Sequence, residues 1–124
     1  MPRFATATVT ELARVGLFQE LSGEVLTKLA QNMRRQDVGP GDPIVLEGED
    51  GDDFYVILRG LAAVSHPGGL SPRRMLRPGD YFGEVALAMD IPRTASVRAI
   101  TPAVVASCDR ETFDEFIWPL FKED

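Results

Sequence analysis

The chain reads GPGDPIVLEGEDGDDFYVILRGLAAV from residue 39 to residue 64. Three short apolar runs, at 44–46, 54–58 and 61–64, alternate here with turns rich in Gly, Pro and Asp. Residues of those three types favour tight turns, whereas β-branched and aromatic runs are typical of strands. The run 54–58 is apolar throughout, which predicts a strand buried on both faces. The stretch therefore predicts short, consecutive antiparallel strands.

The same alternation extends from residue 34 to residue 108. Further apolar runs stand at 75–76, 95–99 and 104–108, and further turn signals at 67–69 and 78–80. Short strands with closely spaced turns are typical of small antiparallel barrels and jelly rolls. Residues 34–108 are therefore predicted to form a small antiparallel, jelly-roll-like β-barrel.

Two helices are predicted before the barrel, within residues 1–33. Thr8 and Glu11 have the spacing of a capping box, and an apolar stripe follows at Leu12 and Val15. Ser22 can cap the second helix, whose buried stripe is predicted from its helical spacing. The members of that stripe are Val25, Leu26, Leu29, Ala30 and Met33.

A short helix is predicted after the barrel, over residues 109–118. Asp109 can cap it, Phe113 and Phe116 would share one face, and Pro119 would end it. The predicted fold class is thus mainly β with flanking helices, as one domain over residues 1–124.

Composition excludes several classes of protein. The 124 residues carry 13 Lys and Arg against 19 Asp and Glu, a net charge of -6, which argues against nucleic-acid binding. No apolar run approaches the roughly 20 residues that span a bilayer. One cysteine, Cys108, and one histidine, His66, are too few for a thiolate zinc site or a metal-binding barrel enzyme. His66 stands in a turn-forming string and is predicted to be a solvated loop residue. The expected location is the cytoplasm.

Residues 82–95 interrupt the barrel pattern with FGEVALAMDIPRTA. A short helix is predicted from Glu84 to Met89, and the small residues Gly83 and Ala86 leave its first amides accessible to an anion. Arg93 returns toward that helix with a planar fork suited to phosphate oxygens. Glu84 would repel a lone anion, but it can accept a hydrogen bond from a ligand hydroxyl. A phosphate joined to a sugar hydroxyl meets both requirements.

Each of these residues also has a simpler interpretation. Glu84 can balance the dipole of the helix at its first turn. Arg93 can be a surface residue paired with Asp90, and Thr94 is an ordinary residue for the start of a strand. Their occurrence together favours binding.

Residues 82–95 resemble the phosphate-binding cassette of cyclic nucleotide-binding domains, and residues 44–60 resemble a second stretch of that family. The resemblance implies that backbone amides at Gly83 and Ala86 reach a cyclic phosphate, that Glu84 accepts from the ribose 2′-hydroxyl, and that Arg93 pairs with the phosphate. It implies a further amide from Thr94 and Ala95. Val85 belongs to the same ligand-facing segment, although the side chains of Val85 and Leu87 are expected to pack the helix onto the barrel. The ligand would be cAMP or cGMP, without a metal.

The sequence says less about which purine base, adenine or guanine, the site would bind. By resemblance, Arg74 lies where a residue can touch the purine. Arg74 can donate to the O6 and N7 acceptors of guanine and Thr94 can accept from its amino group, which points to cGMP. An arginine near this turn is also an ordinary exposed residue, and cAMP is the usual ligand of sequences of this kind. The sequence favours cAMP and keeps cGMP as the rival.

The expected function is non-catalytic: ligand binding shifts a conformational equilibrium and biases an effector that the sequence does not identify. The alternative is a barrel that has kept the fold as a ligand-free interaction module. Family members usually carry a long lid helix after the last short one. Here Trp118 and Phe121 either cover the base or, as the more ordinary interpretation, pack on the barrel end. The chain is expected to be a regulatory domain from a longer protein rather than a stand-alone receiver.

Overall fold

In the computed structural model, which describes residues 5–66 and 74–122, eight strands form two four-stranded antiparallel sheets. Sheet A has the order β1-β8-β3-β6, and sheet B has the order β2-β7-β4-β5. The strands are β1 (Arg34–Val38), β2 (Pro43–Val45), β3 (Asp53–Arg59), β4 (Ala62–Ser65), β5 (Arg74–Leu76), β6 (Tyr81–Phe82), β7 (Ser96–Ala99) and β8 (Ala103–Asp109). The helices are α1 (Val9–Ala13), α2 (Gly23–Gln31), α3 (Glu84–Met89), α4 (Arg110–Thr112) and α5 (Trp118–Phe121).

Antiparallel sheets with flanking helices are confirmed, but the closed barrel needs correction. In the described part of the chain, no ladder joins sheet A to sheet B. The edge strands are too short or irregular to continue the pairing: β2 contains a register shift after Pro43, and β6 ends after two residues. Gly83 follows β6 with φ 100°, a left-handed conformation that turns the chain into α3. The result is a pair of facing sheets.

Strand β3 contributes to two hydrophobic cores, which explains its uninterrupted apolar sequence. Phe54 and Val56 pack with the helices, whereas Ile57 packs between the two sheets. The core between the sheets also holds Val45, Val64, Leu76, Phe82, Val97 and Val105. The expectation of a strand buried on both faces is confirmed.

The two predicted N-terminal helices are present. The Thr8 side chain accepts from the Glu11 amide and the Glu11 side chain accepts from the Thr8 amide, forming the predicted capping box. Ser22 caps α2 by accepting from the amide of Val25. Residues 1–4 lie outside the described part, as do the turn predicted at 67–69 and residues 123–124.

Strand β1 was not predicted within residues 34–38. Only Val38 of this edge strand is buried, so the sequence carries no alternating apolar signal there. Backbone pairing creates the strand: β8 pairs with β1 from Arg34↔Ser107 to Val38↔Ala103. Ala5 adds a contact on the outer side, where its carbonyl accepts from the amide of Arg35.

The C-terminal helix begins as predicted but does not end at Pro119. Asp109 accepts from the amide of Thr112 and caps α4. A π-helical turn, Phe113–Ile117, then leads into α5, in which Pro119 stands in the first turn. At this position the missing amide of proline is not needed for a helical hydrogen bond, so Pro119 is tolerated. Residues 110–121 are called the terminal segment below.

Candidate ligand-binding site

A pocket of about 640 Å³ opens beside α3, the helix that residues 82–95 were predicted to contain. All eight residues that the sequence assigned to a ligand lie on its wall: Arg74, Gly83, Glu84, Val85, Ala86, Arg93, Thr94 and Ala95. Sheet B supplies an apolar wall of Val45, Val64, Leu76 and Val97. The pocket therefore has one end rich in polar groups, at the cassette, and one long apolar face.

Arg93 is the most tightly held polar side chain of the pocket. Only 7% of it is exposed. Its Nη2 donates to the carbonyl of Asp53 at 2.7 Å, and its Nη1 donates to the carbonyl of Gly83 at 3.4 Å. The ring of Tyr55 lies under the guanidinium, 5.7 Å from the ring centroid to Cζ. These contacts fix the orientation of the guanidinium before any ligand arrives.

Two glycines leave the space that the Arg93 side chain occupies. A Cβ on Gly51 would overlap Nε of Arg93 and lie 2.8 Å from its Cδ. A Cβ on Gly83 would lie 2.9 Å from Nη1 of Arg93. The backbone of Arg93 is fixed as well, because its amide donates to Glu49 and its carbonyl accepts from Gly48. The loop between β2 and β3 thus wraps around Arg93.

In the described part of the chain no salt bridge involves Arg93, although its charge favours the ionised forms of the nearby Asp53 and Glu84 carboxyls. Pairing of Arg93 with Asp90, the simpler interpretation, is wrong: Asp90 pairs with Arg110 at 3.3 Å instead. Buried charges in proteins are normally paired, so a buried guanidinium without a salt bridge on a pocket wall is a candidate site for an anion.

Glu84 is half-buried on the pocket wall at the first turn of α3. Burial raises the pKa of its carboxyl. The amides of Glu84 and Val85 and the charges of Arg74 and Arg93 oppose that increase by stabilising the carboxylate. Glu84 is therefore an acidic residue in the first turn of α3, the simpler dipole-balancing role that the sequence left open, and it also presents an acceptor to the pocket.

The expectation that Val85 and Leu87 both pack α3 onto the sheets is wrong for Val85. Leu87 is buried in the core beside the helices, but Val85 is 47% exposed and lies on the pocket wall. Consecutive residues of a helix lie about 100° apart, so the face that buries Ala86 and Leu87 leaves Val85 outside.

Arg74 and His66 also line the pocket: Arg74 begins β5, and His66 directly follows the neighbouring strand β4. Arg74 pairs with Val64 across β4 and β5, which places both side chains on the inner face of sheet B. His66 is exposed, as predicted for a solvated residue, but it also lines the pocket, a placement that the sequence analysis missed. The alternation Ala62, Val64, His66 is the signal that would have indicated it.

Trp118 and Phe121 do not cover this pocket. Both pack against the core beside the helices, so packing on the body of the domain, the more ordinary interpretation, is the one that applies. The ring of Phe121 meets Tyr81 edge-on with centroids 5.4 Å apart, and Tyr81 itself lines the pocket.

The described residues give little support to a metal site or to a reactive cysteine. They contain no group of three or more His, Cys, Asp or Glu arranged to hold a metal ion. Burial raises the pKa of the Cys108 thiol to about 12, which keeps it protonated and unreactive. Within residues 5–66 and 74–122, no helix has the length and apolar character to cross a membrane.

Comparison with known proteins identifies the family. The model of the family described as "Cyclic nucleotide-binding domain" matches residues 35–117. A cAMP-dependent protein kinase regulatory subunit from Yarrowia lipolytica is 38% identical over 109 residues, covering 88% of this chain and 29% of the relative. The cGMP-dependent protein kinase egl-4 of Caenorhabditis elegans is 40% identical over 114 residues, covering 88% of this chain and 15% of the kinase.

A solved structure agrees. The regulatory domain of Toxoplasma gondii PKA, crystallised with cAMP, superposes with a TM-score of 0.81 at 31% identity, covering 90% of this chain and 44% of the other. This chain thus spans less than a third of either curated relative. The family match covers both sheets, the cassette and most of the terminal segment. The chain belongs to the family of cyclic nucleotide-binding domains.

Proposed function

We propose that this domain binds a cyclic nucleotide in the pocket beside α3, with the cyclic phosphate on Arg93. One observation carries the proposal. The guanidinium of Arg93, only 7% exposed, lies on the wall of a pocket of about 640 Å³ and forms no salt bridge with any described carboxylate. An anion that enters the pocket gains a charge-assisted contact with a donor that is already oriented.

Arg93 can hold its backbone partners and the phosphate at once. A guanidinium has five N–H donors, and the carbonyls of Asp53 and Gly83 use two of them. The remaining donors suit the two free oxygens of a cyclic phosphate. The backbone of residues 83–86 and of Thr94 and Ala95 would surround the same group.

The rest of the pocket suits a nucleoside. Glu84 would accept a hydrogen bond from the ribose 2′-hydroxyl, which offsets the repulsion between its carboxylate and the phosphate. The wall of Val45, Val64, Leu76 and Val97 offers the apolar surface that a purine ring buries. A bare phosphate would leave this wall unused.

The nucleotide itself is proposed to be cAMP, with cGMP as the rival. The Yarrowia relative is a cAMP-dependent kinase subunit and the Toxoplasma structure contains cAMP, whereas the C. elegans relative is a cGMP-dependent kinase. Arg74 and Thr94 line the pocket and can contact a guanine, so both nucleotides belong in one titration.

We expect the domain to act without catalysis, as a jelly-roll-like scaffold whose ligand-bound form biases an effector. By analogy with the relatives, a kinase is the first effector to test. The cytoplasm remains the expected location, in keeping with a single, unpaired cysteine. A ligand-free interaction module remains the alternative, although a buried arginine without a salt bridge would be costly to keep in it.

The test is calorimetric titration of ligand-stripped protein with cAMP and cGMP. For the parent protein we expect a Kd of about 1 μM or below for at least one of them. Arg93→Gln removes the charge and should weaken binding about 30- to 4,000-fold, the equivalent of about 2–5 kcal/mol. Arg98→Gln is the matched control: it removes an exposed arginine that donates to the carbonyl of Gly41, away from the cassette.

No binding of either nucleotide by the folded parent would favour the interaction module. Binding that survives Arg93→Gln unchanged would place the phosphate elsewhere.

A further inference from the structure

Arg110, the first residue of the terminal segment, reaches back to the far end of α3. Its Nη1 donates to the carbonyl of Leu87 at 3.0 Å, and its Nη2 lies 3.3 Å from Oδ1 of Asp90. The same Nη2 lies 3.6 Å from Oδ1 of Asp52, just before β3. One guanidinium therefore joins the end of α3, the start of β3 and the start of α4. Nothing in the sequence analysis assigned a role to it.

Arg93 and Arg110 hold α3 from opposite ends. Arg93 joins the carbonyl of Gly83, before α3, to the carbonyl of Asp53. Arg110 joins the last turn of α3 to the carboxylate of Asp52, the residue next to Asp53. The proposed ligand would contact Arg93 directly, whereas Arg110 is absent from the pocket wall.

We propose that Arg110 is a positioning residue that fixes α3 for the ligand and links it to the terminal segment. The inference deepens the proposed function, because the α3 that it positions is the helix of the proposed binding site. The fork of the guanidinium is the feature required: it places one nitrogen on a backbone carbonyl while the other faces the two carboxylates.

The hydrogen bond from Arg110 to the carbonyl of Leu87 contributes more to holding α3 than the ion pairs with Asp52 and Asp90 do. Asp52 and Asp90 are 79% and 91% exposed, so solvent weakens their attraction to Arg110. Without the Leu87 bond, α3 would sample positions that cannot bind, and the apparent affinity would fall with the fraction of competent molecules. The terminal segment would lose its polar contact with the cassette at the same time.

Hydrogen exchange of the ligand-free protein tests the positioning role without relying on a ligand. In Arg110→Gln, we expect amide exchange to accelerate about tenfold in residues 84–91 and 110–121. Strands β3 and β8 should exchange as in the parent. Arg110→Lys keeps the charge but not the fork, and should accelerate exchange in the same segments. Arg98→Gln is again the control and should change neither.

A titration with cAMP and cGMP then tests the link to the site. Arg110→Gln should weaken binding about tenfold although Arg110 touches no ligand. Trp118 is the single tryptophan of the chain and lies in the terminal segment. Its fluorescence should respond to ligand in the parent and respond less in Arg110→Gln at saturating ligand.

Three outcomes would overturn the inference: unchanged exchange in residues 84–91, acceleration spread evenly over β3 and β8, or Arg110→Lys behaving as the parent. A parent protein that binds neither nucleotide would refute the proposed function instead. The exchange data would then still decide whether Arg110 positions α3.

Discussion

Two arginines line the pocket in contrasting surroundings. Arg93 is buried, bonded to two backbone carbonyls and placed over the ring of Tyr55. Arg74 is exposed on an edge strand, and its side chain donates no hydrogen bond to the described residues. The protein itself orients Arg93, whereas the orientation of the Arg74 side chain is left to the ligand.

This contrast predicts how the two arginines contribute to binding. An oriented donor loses little freedom on binding, so it contributes most of its contact energy to affinity. An exposed side chain must be ordered by the ligand and contributes less. Affinity and ligand class should therefore depend on Arg93, and the preference between adenine and guanine on Arg74. Three substitutions test this division, in order of decreasing expected effect.

The strongest perturbation short of removing Arg93 is Gly51→Ala. The new methyl group would overlap Arg93 Nε and push the guanidinium out of its position. We expect cAMP affinity to fall about tenfold or more in calorimetry. Gly23→Ala is the matched control, because a Cβ there meets nothing within 4 Å. Equal affinity of both variants would mean that the orientation of Arg93 does not matter.

Glu84→Gln should have opposite effects on stability and on binding. Burial raises the pKa of this carboxyl, so the folded protein keeps its proton to higher pH than the unfolded chain does. Ionisation of Glu84 then costs stability as the pH rises through that raised pKa. The variant should melt at a higher temperature than the parent at pH 7, and this advantage should shrink below the raised pKa and be gone below the pKa of the unfolded chain.

The same variant should bind cAMP less tightly, by about three- to tenfold, because the amide is a weaker acceptor for the 2′-hydroxyl. A ligand without that hydroxyl, 2′-deoxy-cAMP, gives the matched comparison. Its loss of affinity in the parent should be smaller in Glu84→Gln, since the hydroxyl makes only the weaker contact with the amide. Fully additive losses would separate Glu84 from the ribose.

The smallest expected effect is that of Arg74→Ala. Total affinity should change by a few-fold, whereas the ratio of cGMP to cAMP affinity should fall, because guanine alone offers both the O6 and N7 acceptors. Parallel titrations with both nucleotides measure the ratio. A large, equal loss for both ligands would place Arg74 at the phosphate or the ribose instead.

Much of the fold was predictable because the signals are local. Thr8, Ser22 and Asp109 cap helices within three residues of their partners, and the run 54–58 shows its double burial directly. Strand β1 was missed because it owes its existence to pairing with β8, roughly 70 residues away by its register. Pro119 was misread because a π-helical turn precedes it.

The sequence predicted which residues line the site, but not the contacts that hold them in place. Seven of the eight assigned residues lie within 82–95 and the eighth, Arg74, was assigned by resemblance; all eight line one pocket. The partners of Arg93 were not predictable, because Gly51, Asp53 and Tyr55 lie far from it along the chain and act through backbone and ring contacts. Arg110 was missed for the same reason, since its partner at Leu87 is a carbonyl that every residue carries.

The measurement that tests the central claim most directly compares cAMP with adenosine, in the parent and in Arg93→Gln. If Arg93 is oriented in advance to bind the phosphate, the parent should prefer cAMP to adenosine about 30-fold or more. Arg93→Gln should remove most of this preference and leave adenosine binding unchanged. A parent that binds adenosine as tightly as cAMP, or a preference that survives the loss of Arg93, would contradict the account.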